Sequence, residues 1–153
     1  MAARDMSKRQ VSPRSRARVL AVSGLYQLDL LDKDLTKVIE EVRKGASDEE
    51  STLYYLAQDD RAAALDFFEG LLRGTWENRS AIDDRLRLNL ENWSLERVGQ
   101  VERAILRLGS FELLYRDDIP KNVTFNEMVE LSKSFCDLKS KDFINGVLDS
   151  IAP

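Results

Sequence analysis

The sequence predicts an all-α bundle fold of seven or eight helices. Three observations predict it. Gly (7) and Pro (3) are scarce in a chain of 153 residues, where average usage would place roughly 18 of the two together, so natural breakpoints are few. Leu occurs 22 times, more often than Val (10) and Ile (6) combined, which favours helix over strand. Apolar residues also recur at helical rather than alternating spacing. With 33% charged and 43% hydrophobic residues the composition is globular, and a chain of this length buries roughly 68–70% of its unfolded surface, enough for a core without staples.

Residues 1–12 are polar and without period, and read as a flexible basic arm ahead of one helical domain over 13–153. Ser12-Pro13 starts the first helix, with Ser at the cap and Pro at the first helical position. That helix runs to about Leu31, with Ala17, Leu20, Ala21, Gly24, Leu25 and Leu28 on one face. Arg14, Arg16 and Arg18 in its first turns oppose the helix dipole, a small cost that a bound anion would relieve. A second helix covers roughly Asp34–Lys44 and ends at Gly45.

A short helix is expected over Ser51–Ala57, after the acidic loop Ser47–Glu50. A longer one follows over Asp59–Asn78, striped by Leu65, Phe68, Leu72 and Trp76, with Gly70 and Gly74 one turn apart to admit a neighbouring helix. Ser80–Leu88 is amphipathic, and Asn89–Trp93 is a loop. Ser94 caps a central helix, Glu96–Arg116, which is apolar on several sides and leaves Arg103, Arg107 and Ser110 as its polar strip. Pro120 forces a break. Thr124-Phe-Asn-Glu127 has the pattern of a capping box, placing a helix start there with Phe125, Met128, Val129 and Phe135 inward. A last helix, about Ser140–Ile151, buries Ile144, Val147, Leu148 and Ile151.

The absence of His excludes imidazole-based triads, His-ligated zinc and His switches. A single Cys136 permits neither a disulfide framework nor a cysteine metal site. It reads as a core thiol in a chain at home in a reducing cytoplasm. No apolar stretch approaches the ~20 residues that cross a bilayer. Val19–Leu31 imitates a signal peptide, but Gln27, Asp29 and its helical period argue against one. The pairs Asp59–Asp60, Asp83–Asp84 and Asp117–Asp118 read as solvated faces or helix ends, with no base or nucleophile to assist them. Neither a metal nor a cofactor is expected. The net charge of −4 hides an asymmetry. Residues 1–18 hold six cations against Asp5 alone, a balance of +5, while the rest carries −9. A basic arm on an acidic body suggests a polyanion for the arm and a basic protein for the body.

Two blocks carry a resemblance. The first is Ala17-Arg-Val-Leu-Ala-Val-Ser-Gly-Leu-Tyr26 after its Arg-rich lead. The second starts at Leu95-Glu-Arg-Val-Gly-Gln-Val-Glu-Arg-Ala-Ile-Leu-Arg107 and continues through Phe111-Glu-Leu-Leu114, Ile119-Pro120, Asn126-Glu127 and Glu130-Leu-Ser-Lys-Ser-Phe135. It closes with Phe143-Ile-Asn-Gly-Val-Leu-Asp149. In order and spacing they resemble the NusB transcription-antitermination family, weakly over 32–70 and specifically over 95–152. The resemblance implies an all-helical, non-catalytic protein without metal or cofactor, built as two small helical bundles, an N-terminal one over about 13–78 and a C-terminal one over about 79–153. It implies binding to the boxA element of ribosomal RNA transcripts, together with the ribosomal protein NusE, in a complex that keeps RNA polymerase elongating. It implies RNA contacts from Arg14, Arg16 and Arg18 (with Ser15 where another Arg is common), from Tyr26, and from Phe143. Before the last helix the family often has a small, acidic loop; here it is Asp137-Leu-Lys-Ser-Lys-Asp142, with altered charge.

The residues themselves agree. Single-stranded RNA is held by cations on phosphates and aromatics on bases. Lys133, Lys139 and Lys141 offer a second cationic cluster. Tyr26 reads equally as a core aromatic, Phe143 has a helical packing partner in Val147, and the loop lysines read equally as solvated. A NusB-like domain of an RNA methyltransferase is a rival that would need a long catalytic extension. A helical interaction protein, a homodimer that keeps the fold without RNA binding, is another.

Overall fold

The computed structural model describes residues 11–92 and 94–153. Apart from Val11 and Ser12, the expected basic arm lies outside these residues, as does Trp93. The described residues are all-helical: α1 (Pro13–Leu30), α2 (Leu35–Gly45), α3 (Gln58–Glu77), α4 (Arg79–Asn89), a 3-10 turn (Leu95–Arg97), α5 (Gln100–Tyr115), α6 (Lys121–Phe135) and α7 (Ser140–Ile151). None of these helices is long and apolar enough to cross a membrane. The chain divides into two compact units between Arg73 and Gly74, inside α3.

In the N-terminal unit α1 begins as its sequence dictates. The Ser15 N–H donates to Ser12 Oγ at 3.0 Å, and Pro13 occupies the first turn, where its missing N–H costs nothing. Ala17, Ala21, Val22, Leu25 and Leu28 are buried along α1, with Val38 and Ile39 of α2 and Phe68, Leu71 and Leu72 of α3. Gly24 is the point of close approach: a Cβ there would lie 3.0 Å from Leu72 Cδ2 and 3.5 Å from Val38 Cγ1. Glu69 accepts from Arg43 at 2.8 Å and from Arg73 at 2.9 Å, tying α2 to α3. The hydrogen bonds from Arg73 and Arg43 hold its carboxyl below the usual range.

No helix forms over 51–57, where a short one was expected. The segment is a run of turns, with the N–H groups of Tyr54 and Leu56 donating three residues back, to Ser51 and Leu53. The carbonyls that a helical ladder would need are taken by Arg61, which donates to Leu53 O (3.2 Å), Tyr54 O (2.8 Å) and Leu56 O (3.1 Å). Of the expected glycine pair, Gly70 is exposed.

The C-terminal unit is built around α5, whose residues Ala104 to Leu113 are all buried. Gly74, which opens this unit, lies so close under the Phe111 ring that a Cβ could not be accommodated. The expected single helix Glu96–Arg116 is two pieces. The 3-10 turn closes with Val98 N–H donating to Leu95 O at 3.2 Å, Val98 is extended, and α5 starts only after Gly99. Two of the three residues of the expected polar strip are interior. Arg107 and Ser110 are 8% and 0% exposed, and Arg107 is paired with Asp83.

The capping box is corrected as well. Pro120 caps α6, which therefore begins one turn before Thr124. Thr124 is buried and donates from Oγ1 to Glu112 Oε1 at 2.9 Å, so it is a tertiary tie rather than a cap. The last helix matches its expected span and buries Ile144, Val147, Leu148 and Ile151.

Candidate nucleic-acid interface

In the N-terminal unit, the three arginines of α1 are not equivalent. Residues four apart share a helix face, and a residue midway between them points elsewhere. Arg14 and Arg18 accordingly reach the same ring: their guanidinium carbons lie 4.4 and 5.1 Å from the centroid of Phe67. Arg14 is exposed while Arg18 is 1% exposed. Arg16 turns inward, donating from Nε to Val11 O at 3.1 Å and from Nη1 to Thr52 O at 2.7 Å. Burial pushes its guanidinium down from its ordinary value, yet arginine stays charged. Arg16 thus pins the 51–57 turns to the start of α1, and Arg14 is the member of the set that presents a cation outward. Tyr26 is half-buried on α1. Twelve residues separate it from Arg14, about 18 Å along a helix axis, so the two would meet different parts of an extended strand.

In the C-terminal unit, Phe143 stands in the first turn of α7, half-buried, between two open hollows. One, of about 420 Å³, is walled by Arg97, Gly99, Glu102, Asp137, Lys139 and Phe143. The other, of about 400 Å³, has Asn89, Asn92, Asp142, Gly146 and Ser150 beside the same ring. Val147, one turn further on, is buried, while the Phe143 ring is only half-buried. Asp137 folds the loop onto the start of α7: its Oδ1 accepts from Lys139 N (3.1 Å), Ser140 N (3.2 Å) and Ser140 Oγ (3.1 Å). That fixes where Lys139 departs.

Of the three lysines, only Lys139 lines a hollow with Phe143. Lys133 pairs with Glu130 at 3.4 Å on α6, and Lys141 is half-buried on α7. Cys136 donates to Glu102 Oε1 at 3.3 Å. Burial first, then that hydrogen bond, pushes its thiol up to about 12, which leaves it an unreactive packing group. Among the described residues no three His, Cys, Asp or Glu side chains gather to hold a metal.

Sequence reasoning missed two participants. Phe67 was overlooked beside Phe68 of the α3 stripe, although an Arg pair at i, i+4 needs a partner of this kind. Arg97 was read as an ordinary position of a long helix; only the break at Val98-Gly99 sets it at the rim of a hollow.

The sequence model described as the NusB family matches residues 15–153. The transcription antitermination protein NusB of Geotalea uraniireducens is 41% identical over 142 residues, 93% of this chain and 95% of that protein. That of Shouchella clausii is 43% identical over 134 residues, 88% and 90% of the two chains. Among solved structures, T. maritima NusB superposes with a TM-score of 0.74 at 37% identity, covering 92% of this chain and 91% of that one. A crystal structure of antitermination factors NusB and NusE in complex with dsRNA superposes with a TM-score of 0.75 at 28% identity, covering 91% and 95%.

Proposed function

The chain belongs to the NusB family, and from that premise we propose that it is a transcription antitermination factor. It binds the boxA element of ribosomal RNA transcripts as a single strand, together with the ribosomal protein NusE, as part of the complex that accompanies RNA polymerase. Its work is binding, not catalysis, and it is carried out in the cytoplasm. The observation that carries the reading is Phe143: an aromatic ring left partly uncovered between two hollows, with Lys139 beside it.

The proposed division of labour follows from placement. Arg14 holds a phosphate, and Arg16 and Arg18 organise that end of α1, Arg16 through Thr52 and Arg18 over Phe67. Tyr26 is a stacking or packing ring further along the helix. Lys139 holds a phosphate beside Phe143, while Lys133 and Lys141 add to the field of α6 and α7. Phosphate contacts fix the strand's position and the ring takes a base, so affinity and selectivity come from different groups. The acidic remainder of the chain suits a basic ribosomal protein, with charge setting the encounter rate more than the affinity.

Mass by light scattering separates this from a homodimer without RNA binding. The expected result is a mass that rises by one RNA when a boxA oligonucleotide is added. A dimer mass that the oligonucleotide leaves unchanged would contradict it.

A further inference from the structure

We propose that Arg97 is a further RNA-contacting residue. With Lys139 it holds the phosphate of the nucleotide whose base stacks on Phe143. The proposal rests on the RNA-binding reading above and adds to it a residue outside both family motifs' aromatic and Arg-rich positions.

Three observations support it. First, Arg97, Lys139 and Phe143 wall the same hollow of about 420 Å³, so two cations and a ring border a space of nucleotide size. Second, the Arg97 backbone is held in place. Its N–H donates to Ser94 O at 3.0 Å, Val98 N–H closes the turn on Leu95 O, and Arg103 Nη1 donates to that same carbonyl at 3.3 Å. Third, neighbouring cations are occupied: Arg87 pairs with Glu96 at 2.9 Å and Arg103 is on Leu95 O. The exposed Arg97 guanidinium makes no hydrogen bond or ion pair among the described residues.

The acids of the hollow form no ion pair with Arg97 among the described residues; each accepts from another group. Glu102 accepts from Cys136, and Asp137 Oδ1 accepts from Lys139 N and Ser140. Gly99 lets the Glu102 carboxylate lie against the start of α5, since a Cβ there would press on it. A negative side chain at a helix N-terminus is satisfied locally. An uncompensated guanidinium fork beside a lysine and an open aromatic face suits a phosphodiester, which the fork can grip with two parallel N–H bonds.

The test is the salt dependence of binding of a labelled single-stranded boxA RNA, compared across Arg97→Ala, Arg97→Lys and Lys37→Ala. Lys37 is exposed on α2 and controls for loss of one charge elsewhere. Each phosphate contact on a single strand contributes about −0.7 to the slope of log affinity against log salt. Arg97→Ala is expected to flatten the slope by about 0.7 and to weaken binding about fivefold at 0.1 M salt, the 0.7 power of one decade from 1 M. Arg97→Lys keeps the slope, and Lys37→Ala changes neither. Where Arg97→Ala shifts the melting temperature, Arg97→Gln is read in its place, since it keeps the stem and loses only the charge. If wild type and the Lys37 variant bind alike, and the Arg97 variants bind as they do, Arg97 touches no phosphate and the inference fails while the RNA-binding reading stands. If wild type binds no RNA, that reading fails first and the inference falls with it.

Discussion

Arg107 clasps Asp83 with both arms of its guanidinium, Nε to Oδ1 at 2.8 Å and Nη2 to Oδ2 at 2.9 Å, in the interior of the C-terminal unit. The pair joins α5 to α4. A buried ion pair is costly to halve, because the remaining charge loses its counter-charge away from water. Asp83→Ala is therefore expected to destabilise by about 3–5 kcal/mol, while Asp83→Leu with Arg107→Met costs far less than the two single changes added. Urea unfolding of Asp83→Ala, of Asp83→Leu and Arg107→Met singly, and of the double variant checks this; additive losses would mean the pair is not coupled.

Thr124 has a comparable role on a smaller scale. Its hydroxyl donates to the buried Glu112, so Thr124→Val should cost about 1–3 kcal/mol through the lost hydrogen bond to a buried carboxylate. Thr124→Ser, which keeps the donor, should cost much less. A Val variant with unchanged stability would show that Glu112 does not depend on this bond.

Gly24 lies against Leu72 and Val38. Gly24→Leu overpacks that contact and should cost about 1–3 kcal/mol. Gly24→Ala should cost less, because the flexible end of Leu72 can yield a few tenths of an ångström. The midpoints of thermal unfolding distinguish the two, and an unchanged midpoint for Gly24→Leu would show that the face is not buried as described.

Cys136 makes stability depend on alkaline pH. The folded thiol keeps its proton up to about 12, whereas an unfolded thiol releases it near 8.5. Between these values the folded state binds the extra proton, so stability falls as pH rises through that window and is intact below it. Cys136→Ala should remove that part of the fall. At pH 8 the native thiol should react with an aromatic disulfide much more slowly than the denatured chain; equal rates would contradict the environment described for it.

Most of the helices were legible in the sequence. Ser12-Pro13 placed the start of α1 and the apolar spacing of α7 placed its buried face, because both signals are local. The failures share one cause, which is tertiary competition for polar groups. Arg61 took the carbonyls that a helix over 51–57 needed. Glu112 took the Thr124 hydroxyl that read as a cap. Asp83 drew Arg107, read only as part of a polar strip, into a buried ion pair. The same applies to the arginines of α1. Their charge and spacing were visible in the sequence, but that Arg16 would spend itself on Thr52 O was not, since the partner lies 36 residues away. Phe143 was marked by its motif; the two hollows beside it needed the fold.

The most direct test is a titration of boxA RNA and a scrambled RNA of equal length, with NusE present, comparing wild type, Arg14→Ala and Phe143→Ala whose folds are verified by circular dichroism. Wild type should prefer boxA. Arg14→Ala should weaken both RNAs alike and flatten the salt slope by about 0.7. Phe143→Ala should leave the slope unchanged and cost roughly 1–3 kcal/mol for the lost stack. If boxA and scrambled RNA bind wild type equally and Phe143→Ala binds boxA as wild type does, the ring beside the two hollows is not where this protein holds its RNA.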